Sequence, residues 1–327
     1  MPVSSRRPAA STCQVVAAEM AKTAWTGLPT GRTMADQANR VQPSNQGGPS
    51  FFQHAFVCRD VPMPPQDVIP AAPSPRPFMT ASWTELLMLS FEVPPDAIAR
   101  IAPPGTLPDL HAGVAYASIV GFRFQDSRIW GVPIPGHKQF DEVNLRYYVR
   151  RNIGGVVRRG VVFAQEIVPR RAVAAVANWL YNESYVVRPV RHEIRMTGRK
   201  FSAGDQLEYR WQSVATTGRP WHRIGARAKA PSALPAPGSV EEFIVEHYWG
   251  YGRYRDGSTV EYFVAHDPWR VAPANDVVWT SEIAAEFDSP LAEFLAAPPS
   301  NALLADGSSV QVFSGRRLDT TEPSASA

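Results

Sequence analysis

Lysine is nearly missing from this chain. Of its 33 basic residues, only Lys22, Lys138, Lys200 and Lys229 are lysines and the other 29 are arginines. A guanidinium stays protonated and cannot act as an amine nucleophile, so imine chemistry has four candidate positions at most. Cysteine is scarcer still: Cys13 and Cys58 are the two in 327 residues, too few for a disulfide framework or a cysteine metal cage. No apolar run reaches the eighteen or so residues of a membrane span, and no apolar stretch of signal-peptide type follows Arg6 and Arg7. A cytoplasmic protein without a membrane partner is the expectation. Charge of one sign is lacking too, since 33 basic and 30 acidic residues leave +3, which gives nucleic acid no electrostatic footprint.

Other absences narrow the chemistry. There is no phosphate-binding P-loop and no Gly-x-Ser-x-Gly elbow. Gly250-Tyr251-Gly252 lacks the third glycine of a dinucleotide fingerprint. No His-Glu-x-x-His run, cysteine pair or carboxylate cluster suggests a metal, and neither cofactor nor metal is expected. Tyr248-Trp249-Gly250-Tyr251-Gly252-Arg253-Tyr254-Arg255 mixes aromatics with arginine as base-stacking surfaces do. A pocket rim or hairpin core explains it as well, so no nucleic-acid partner is expected.

What is present is an ordinary globular composition, 44% hydrophobic and 19% charged, enough to bury a core. Residues 1–75 are rich in Pro, Ser, Ala, Gln and Gly without periodicity and read as a disordered extension, with Met63 or Met79 as alternative starts. Residues 319–327 read as a tail, leaving one domain over 76–318. Within it, 114–124 alternates between a bulky face (Val114, Tyr116, Ser118, Val120, Phe122, Phe124) and a mostly small one. Over 142–151, Val143, Leu145, Tyr147 and Val149 alternate with Glu142, Asn144, Arg146 and Tyr148. Such period-two patterns predict strands, as do 161–168, 191–197, 206–214, 222–229, 259–266 and 310–313. Helices are predicted after Pro169, over 95–101, from Ser239 with a capping box to Glu242, and over 281–297 with a break at Pro290. His247 falls on the apolar side of the third of these, where a core histidine is the ordinary outcome. Many one-sided strands with few helices point to a mainly β, α+β domain: an antiparallel sheet, closed or nearly so, with peripheral helices.

Several segments resemble one bacterial family in order and spacing. Phe78 to Trp83 and Leu86 to Pro94 look like its opening. Ser118-Ile119-Val120-Gly121-Phe122-Arg123-Phe124, Glu142-Val143-Asn144-Leu145-Arg146-Tyr147-Tyr148-Val149-Arg150, Glu166-Ile167-Val168-Pro169-Arg170-Arg171 and His266-Asp267-Pro268-Trp269 follow. The resemblance is to the YqjF-like family, a domain of unknown function, and it implies the acetoacetate-decarboxylase-like fold, a β-barrel or cone with a central pocket. In the decarboxylase a Pro-Lys-Lys run supplies the Schiff-base lysine. The similar position here is Pro169-Arg170-Arg171, so the resemblance carries over the fold and not the decarboxylation.

If the 142–151 strand turns its polar face to a lumen, Glu142, Asn144, Arg146 and Tyr148 form one wall, with Glu166, Arg170 and Arg171 facing it. Arginine grips a carboxylate through a planar fork. The reading is a pocket for a small carboxylate or carbonyl compound, with Glu142 or Glu166 as acid/base and His266 at its border, and any enzyme chemistry of lyase or isomerase type. Three alternatives stay open. These charges pair with one another or face solvent; the pocket binds without catalysis; or the protein is an interaction scaffold whose barrel is filled by Tyr148, Phe122 and Trp211.

Overall fold

The structure, a computed structural model, describes residues 76–133, 138–169, 185–213 and 217–318. The helix expected after Pro169, both arginines of Pro169-Arg170-Arg171, and the segments 1–75 and 319–327 lie outside the described residues. The described chain is mostly strand. In order the strands are β1 (Met79–Val93), β2 (Leu107–Pro108), β3 (Ala115–Ile129), β4 (Val132–Pro133), β5 (Phe140–Ile153), β6 (Val156–Val168), β7 (Tyr185–Val187) and β8 (Val190–Arg195). They continue as β9 (Gln206–Gln212), β10 (Trp221–Ala228), β11 (Trp249–Arg253), β12 (Thr259–His266), β13 (Val271–Val278), β14 (Asn301–Val312) and β15 (Arg316–Arg317).

Hydrogen bonding runs β12-β11-β6-β5-β3-β1-β14, and β14 pairs back to β12 through Val264 opposite Val312 and His266 opposite Val310. The ladder is therefore ring-like. Two pairings are parallel, β6 with β7 and β6 with β11, so the sheet is mixed where an antiparallel one was expected. The chain reaches β11 from β6 only after a long excursion through β8, β9 and β10, and a long crossover is the connection that parallel pairing requires. From β14 a second sheet, β13-β10-β9-β8, continues the order.

Alternation sorts the side chains into two cores. Leu86, Met88, Tyr116, Val120, Phe122, Phe124, Val161, Val264 and Leu303 come from strands around the ring and form one cluster on its inner side. Leu87, Leu89, Ala117, Ile119, Val143, Leu145 and Tyr147 form another with Leu207, Tyr209, Trp211 and Ile224 of the second sheet. Trp211 thus belongs to the core between the two sheets and does not fill the ring. The small face of β3 has a physical reason. A Cβ at Gly121 would lie 2.4 Å from the Tyr209 ring, so the second sheet comes too close for a side chain there.

β1 changes phase midway. Glu85 has φ 53°, a left-handed conformation costing a non-glycine residue about 1–2 kcal/mol. The register with β3 shifts between Thr84 and Leu87. This bulge is held by the Tyr209 hydroxyl, which donates to the Glu85 carbonyl at 2.7 Å, and by the Arg123–Glu85 ion pair at 3.1 Å. Before it Trp83 points inward; after it Leu86 and Met88 do.

The helix expected at Ser239 is short, Val240–Val245, so His247 lies beyond its end. Ser239 Oγ accepts from the Glu242 N–H at 3.2 Å, while the Glu242 carboxylate accepts from the Gly238 N–H at 2.6 Å, one residue earlier than a capping box requires. Pro95–Ile101 is helical, and 281–297 holds two 3₁₀ turns, Ser281–Glu286 and Ala292–Ala296, on either side of Pro290.

Candidate functional site

Inside the ring is a cavity of about 170 Å³. Its wall is chiefly aromatic and aliphatic, with Trp83 and Leu86 from β1, Phe122 and Phe124 from β3, Phe163 from β6, Trp249 from β11, Tyr262 from β12, and Trp269. Against this wall stand Glu142, Asn144 and Arg146 of β5, Glu166 of β6, His247 and His266. The period of two explains the first three, since alternate residues of one strand share a face. Strand register explains Glu166, which sits directly opposite Asn144. The Asn144 amide donates to Glu142 Oε1 at 3.0 Å, and its own Oδ1 has no partner.

Arg146 is only 7% exposed. Its terminal nitrogen reaches the Ile244 carbonyl at 3.5 Å and Met88 Sδ at 3.6 Å, the long edge of hydrogen-bond geometry. Its guanidinium carbon stands 5.6 Å from the Tyr148 ring centroid, its Nε has no partner, and it forms no ion pair with any described carboxylate. A buried guanidinium so weakly held is costly unless an anion joins it.

Tyr148 is buried on the same face but is not part of the cavity lining. Its hydroxyl meets Ser118 Oγ at 2.8 Å, which meets Ser90 Oγ at 2.7 Å, a chain internal to the protein. His266 lines the cavity between two rings, stacked at 4.6 Å on Tyr248 and 4.6 Å on Trp269, with Nδ1 2.9 Å from the Asp267 carbonyl oxygen. Burial holds its pKa below the usual histidine range.

His247 is the site residue that sequence reasoning assigned to the core. Its Nε2 lies 3.3 Å from Asp109 Oδ2, which also accepts from Arg159 Nε at 2.7 Å. Burial, aided by Arg159, pushes the His247 pKa down to about 4. Burial alone would raise Asp109, but His247 and Arg159 outweigh it and hold the carboxyl below its ordinary value. At neutral pH the imidazole is therefore neutral. With Nε2–H given to Asp109, its partnerless Nδ1 is left as a lone pair on the wall. Nothing local signals this pair, because 138 residues separate its members. No group of three or more metal-ligating side chains occurs among the described residues, and no described helix is long and apolar enough to cross a membrane.

The family model of DUF2071, an uncharacterised conserved protein, matches residues 80–309, from the start of β1 to the end part of β14. The chain belongs to this family. DUF2071 is the YqjF-like family whose segments the sequence resembles, and the match takes in every described residue named above as part of the cavity wall. Among solved structures, the enduracididine biosynthesis enzyme MppR complexed with pyruvate is similar at TM-score 0.50 and 18% identity, covering 76% of this chain and 93% of that one. The same enzyme with HEPES buffer bound gives 0.51 and 17%, covering 76% and 90%. An acetoacetate decarboxylase-like enzyme from Sphingomonas wittichii RW1 gives 0.50 and 14%, covering 74% and 93%. At these identities what is shared is the fold, the acetoacetate-decarboxylase-like one. No curated protein matches the sequence closely enough to carry a function across.

Proposed function

We propose that this DUF2071 protein binds a small carboxylate or carbonyl compound in the ring cavity, with Arg146 as the anion anchor. The observation that carries the reading is the Arg146 guanidinium, buried, without a carboxylate ion-pair partner among the described residues, and on the wall of a chiefly apolar cavity that also carries Glu142 and Glu166. Pockets of this make-up use a few polar groups to fix orientation and apolar walls to bury the rest. The solved neighbour complexed with pyruvate holds a ligand of the same class in a similar fold. Arg170 and Arg171 are proposed to add positive charge from the segment after β6.

Glu142 and Glu166 are proposed as the acid/base pair. A carboxylate there would take the proton next to a carbonyl, the C–H electron pair forming a carbon–carbon double bond as the carbonyl π pair moves onto oxygen, where Arg146 favours the negative charge. No lysine stands among the described lining residues, so the proposed chemistry runs through charge and hydrogen bonds and not through an imine. A binder without turnover would use the same anchor, and the Glu142→Gln and Glu166→Gln proteins separate the two readings. Loss of turnover with binding retained identifies an enzyme. The cavity itself weighs against a scaffold with a self-filled ring.

The test is ligand-induced stabilisation of the full chain. A carboxylate at about a hundred times its dissociation constant should add about 2.7 kcal/mol, and Arg146→Met should remove the preference for carboxylates over the matching alcohols. An unchanged preference in that variant refutes the anchor.

A further inference from the structure

The wall of the cavity says more about the ligand than its charge. We infer that the occupant is an aromatic carboxylate, a single ring carrying its acid on a short arm, and not a three- or four-carbon keto acid. This rests on the reading of Arg146 as anion anchor and adds the class of the uncharged remainder.

Size is the first ground. A cavity of about 170 Å³ is close to the roughly 150 Å³ apolar cavity that accepts benzene. A keto acid of three or four carbons would leave much of such a space unfilled, with apolar walls facing water or vacuum. The second ground is the wall's make-up. Trp83 meets Phe122 at 5.4 Å and 67°, Phe124 at 5.7 Å and 77°, and Trp269 at 6.2 Å and 65°. These are edge-to-face contacts, the packing a further ring can join. The third is the unmet polar inventory. The Nε1–H groups of Trp83 and Trp249 and the Arg146 Nε–H have no acceptor. Buried donors are normally satisfied, and these unpaired N–H donors among the cavity-lining residues call for an acceptor-rich group such as a carboxylate. Asn144 Oδ1, His247 Nδ1 and the Ser127 hydroxyl are further polar atoms of the wall without a partner, and they suit a hydroxyl or enol on the arm.

The experiment measures dissociation constants of the full-length protein, by tryptophan fluorescence and calorimetry, for matched probes: phenylpyruvate against pyruvate, phenylacetate against acetate, and benzyl alcohol as the uncharged ring. Each aromatic acid should bind at least about tenfold tighter than its short partner, since even one methylene in an apolar pocket discriminates by that factor. Arg146→Met should bring phenylacetate down to the level of benzyl alcohol. Pyruvate binding as tightly as phenylpyruvate would overturn the aromatic class while leaving the anchor standing. Benzyl alcohol matching phenylacetate in the wild-type protein would remove the anchor and leave the ring cage. No binding by any probe would overturn both. Because the paired comparison is made on the wild-type chain, a poorly folding variant does not blunt it.

Discussion

Acid should destabilise this protein through His247 before its carboxylates matter. The imidazole titrates near 6.5 in an unfolded chain and at about 4 in the folded one. Between those values the unfolded state takes up a proton that the folded state refuses, so stability falls as pH falls. The contribution is complete above about pH 6.5 and is lost on the way down to pH 4. At about 1.4 kcal/mol per pH unit the loss amounts to about 3 kcal/mol, a large share of a typical domain's 5–15 kcal/mol. The groups that hold His247 neutral are those packed around it, with burial first, then the Arg159 and Arg146 charges, opposed by Asp109. Urea unfolding followed by tryptophan fluorescence at pH 7.5, 6, 5 and 4.5 measures the slope, and a His247→Gln protein supplies the background from every other titrating group, His266 included. The wild-type curve should fall more steeply with acid than the variant's, the two converging in slope only above pH 6.5. Parallel curves would refute the reasoning, because they would mean that His247 is protonated as readily in the folded protein as in the unfolded one.

Further outcomes follow from the packing. Gly121→Ala sets a methyl 2.4 Å from the Tyr209 ring and should cost about 1–3 kcal/mol by denaturant unfolding, the range for overpacked cores. Glu261 is wholly buried and meets Arg151 at 3.5 Å, Arg158 at 2.7 Å and Arg316 at 2.7 Å. Glu261→Gln removes the buried carboxylate charge on which Arg151, Arg158 and Arg316 converge and should cost about 3–5 kcal/mol in the same assay. Ser239→Ala removes the side-chain acceptor of the Glu242 N–H at the start of the Val240–Val245 helix and should cost about 1 kcal/mol, with no change in ligand affinity.

Legibility in the sequence varied by strand for physical reasons. β5 was readable because it has no phase change between Glu142 and Leu145: its polar and apolar residues alternate and go to the ring interior and the inter-sheet core. The polar half was not solvent-facing, although such alternation usually means water on one side. β1 resisted because the bulge at Glu85 moves the inward set from Trp83 to Leu86 and Met88, which destroys a period-two signal. Most of β14 was missed for a related reason. It pairs with β1, β13 and β12 in different parts of its length and is buried on both sides around Leu303, Leu304 and Ala305, so apolar residues run consecutively. Glu142, Asn144, Arg146, Glu166 and His266 do come together at one cavity, whereas the Asp109–His247 pair is a tertiary contact that no short spacing announces.

The bulge has an evolutionary corollary. Trp83 and Leu86 both face the cavity only because Glu85 is set out of phase, and Glu85 is held there by Tyr209, which belongs to a sheet whose side chains do not line the cavity. Under the proposed binding role, selectivity and scaffold would therefore be under partly separate control. Substitutions in β9 or β10 that let the Tyr209 hydroxyl drift would re-aim two wall residues while every lining residue kept its identity. Relatives with the same lining could then prefer different ligands, and a comparison restricted to the residues that touch the ligand would miss the cause.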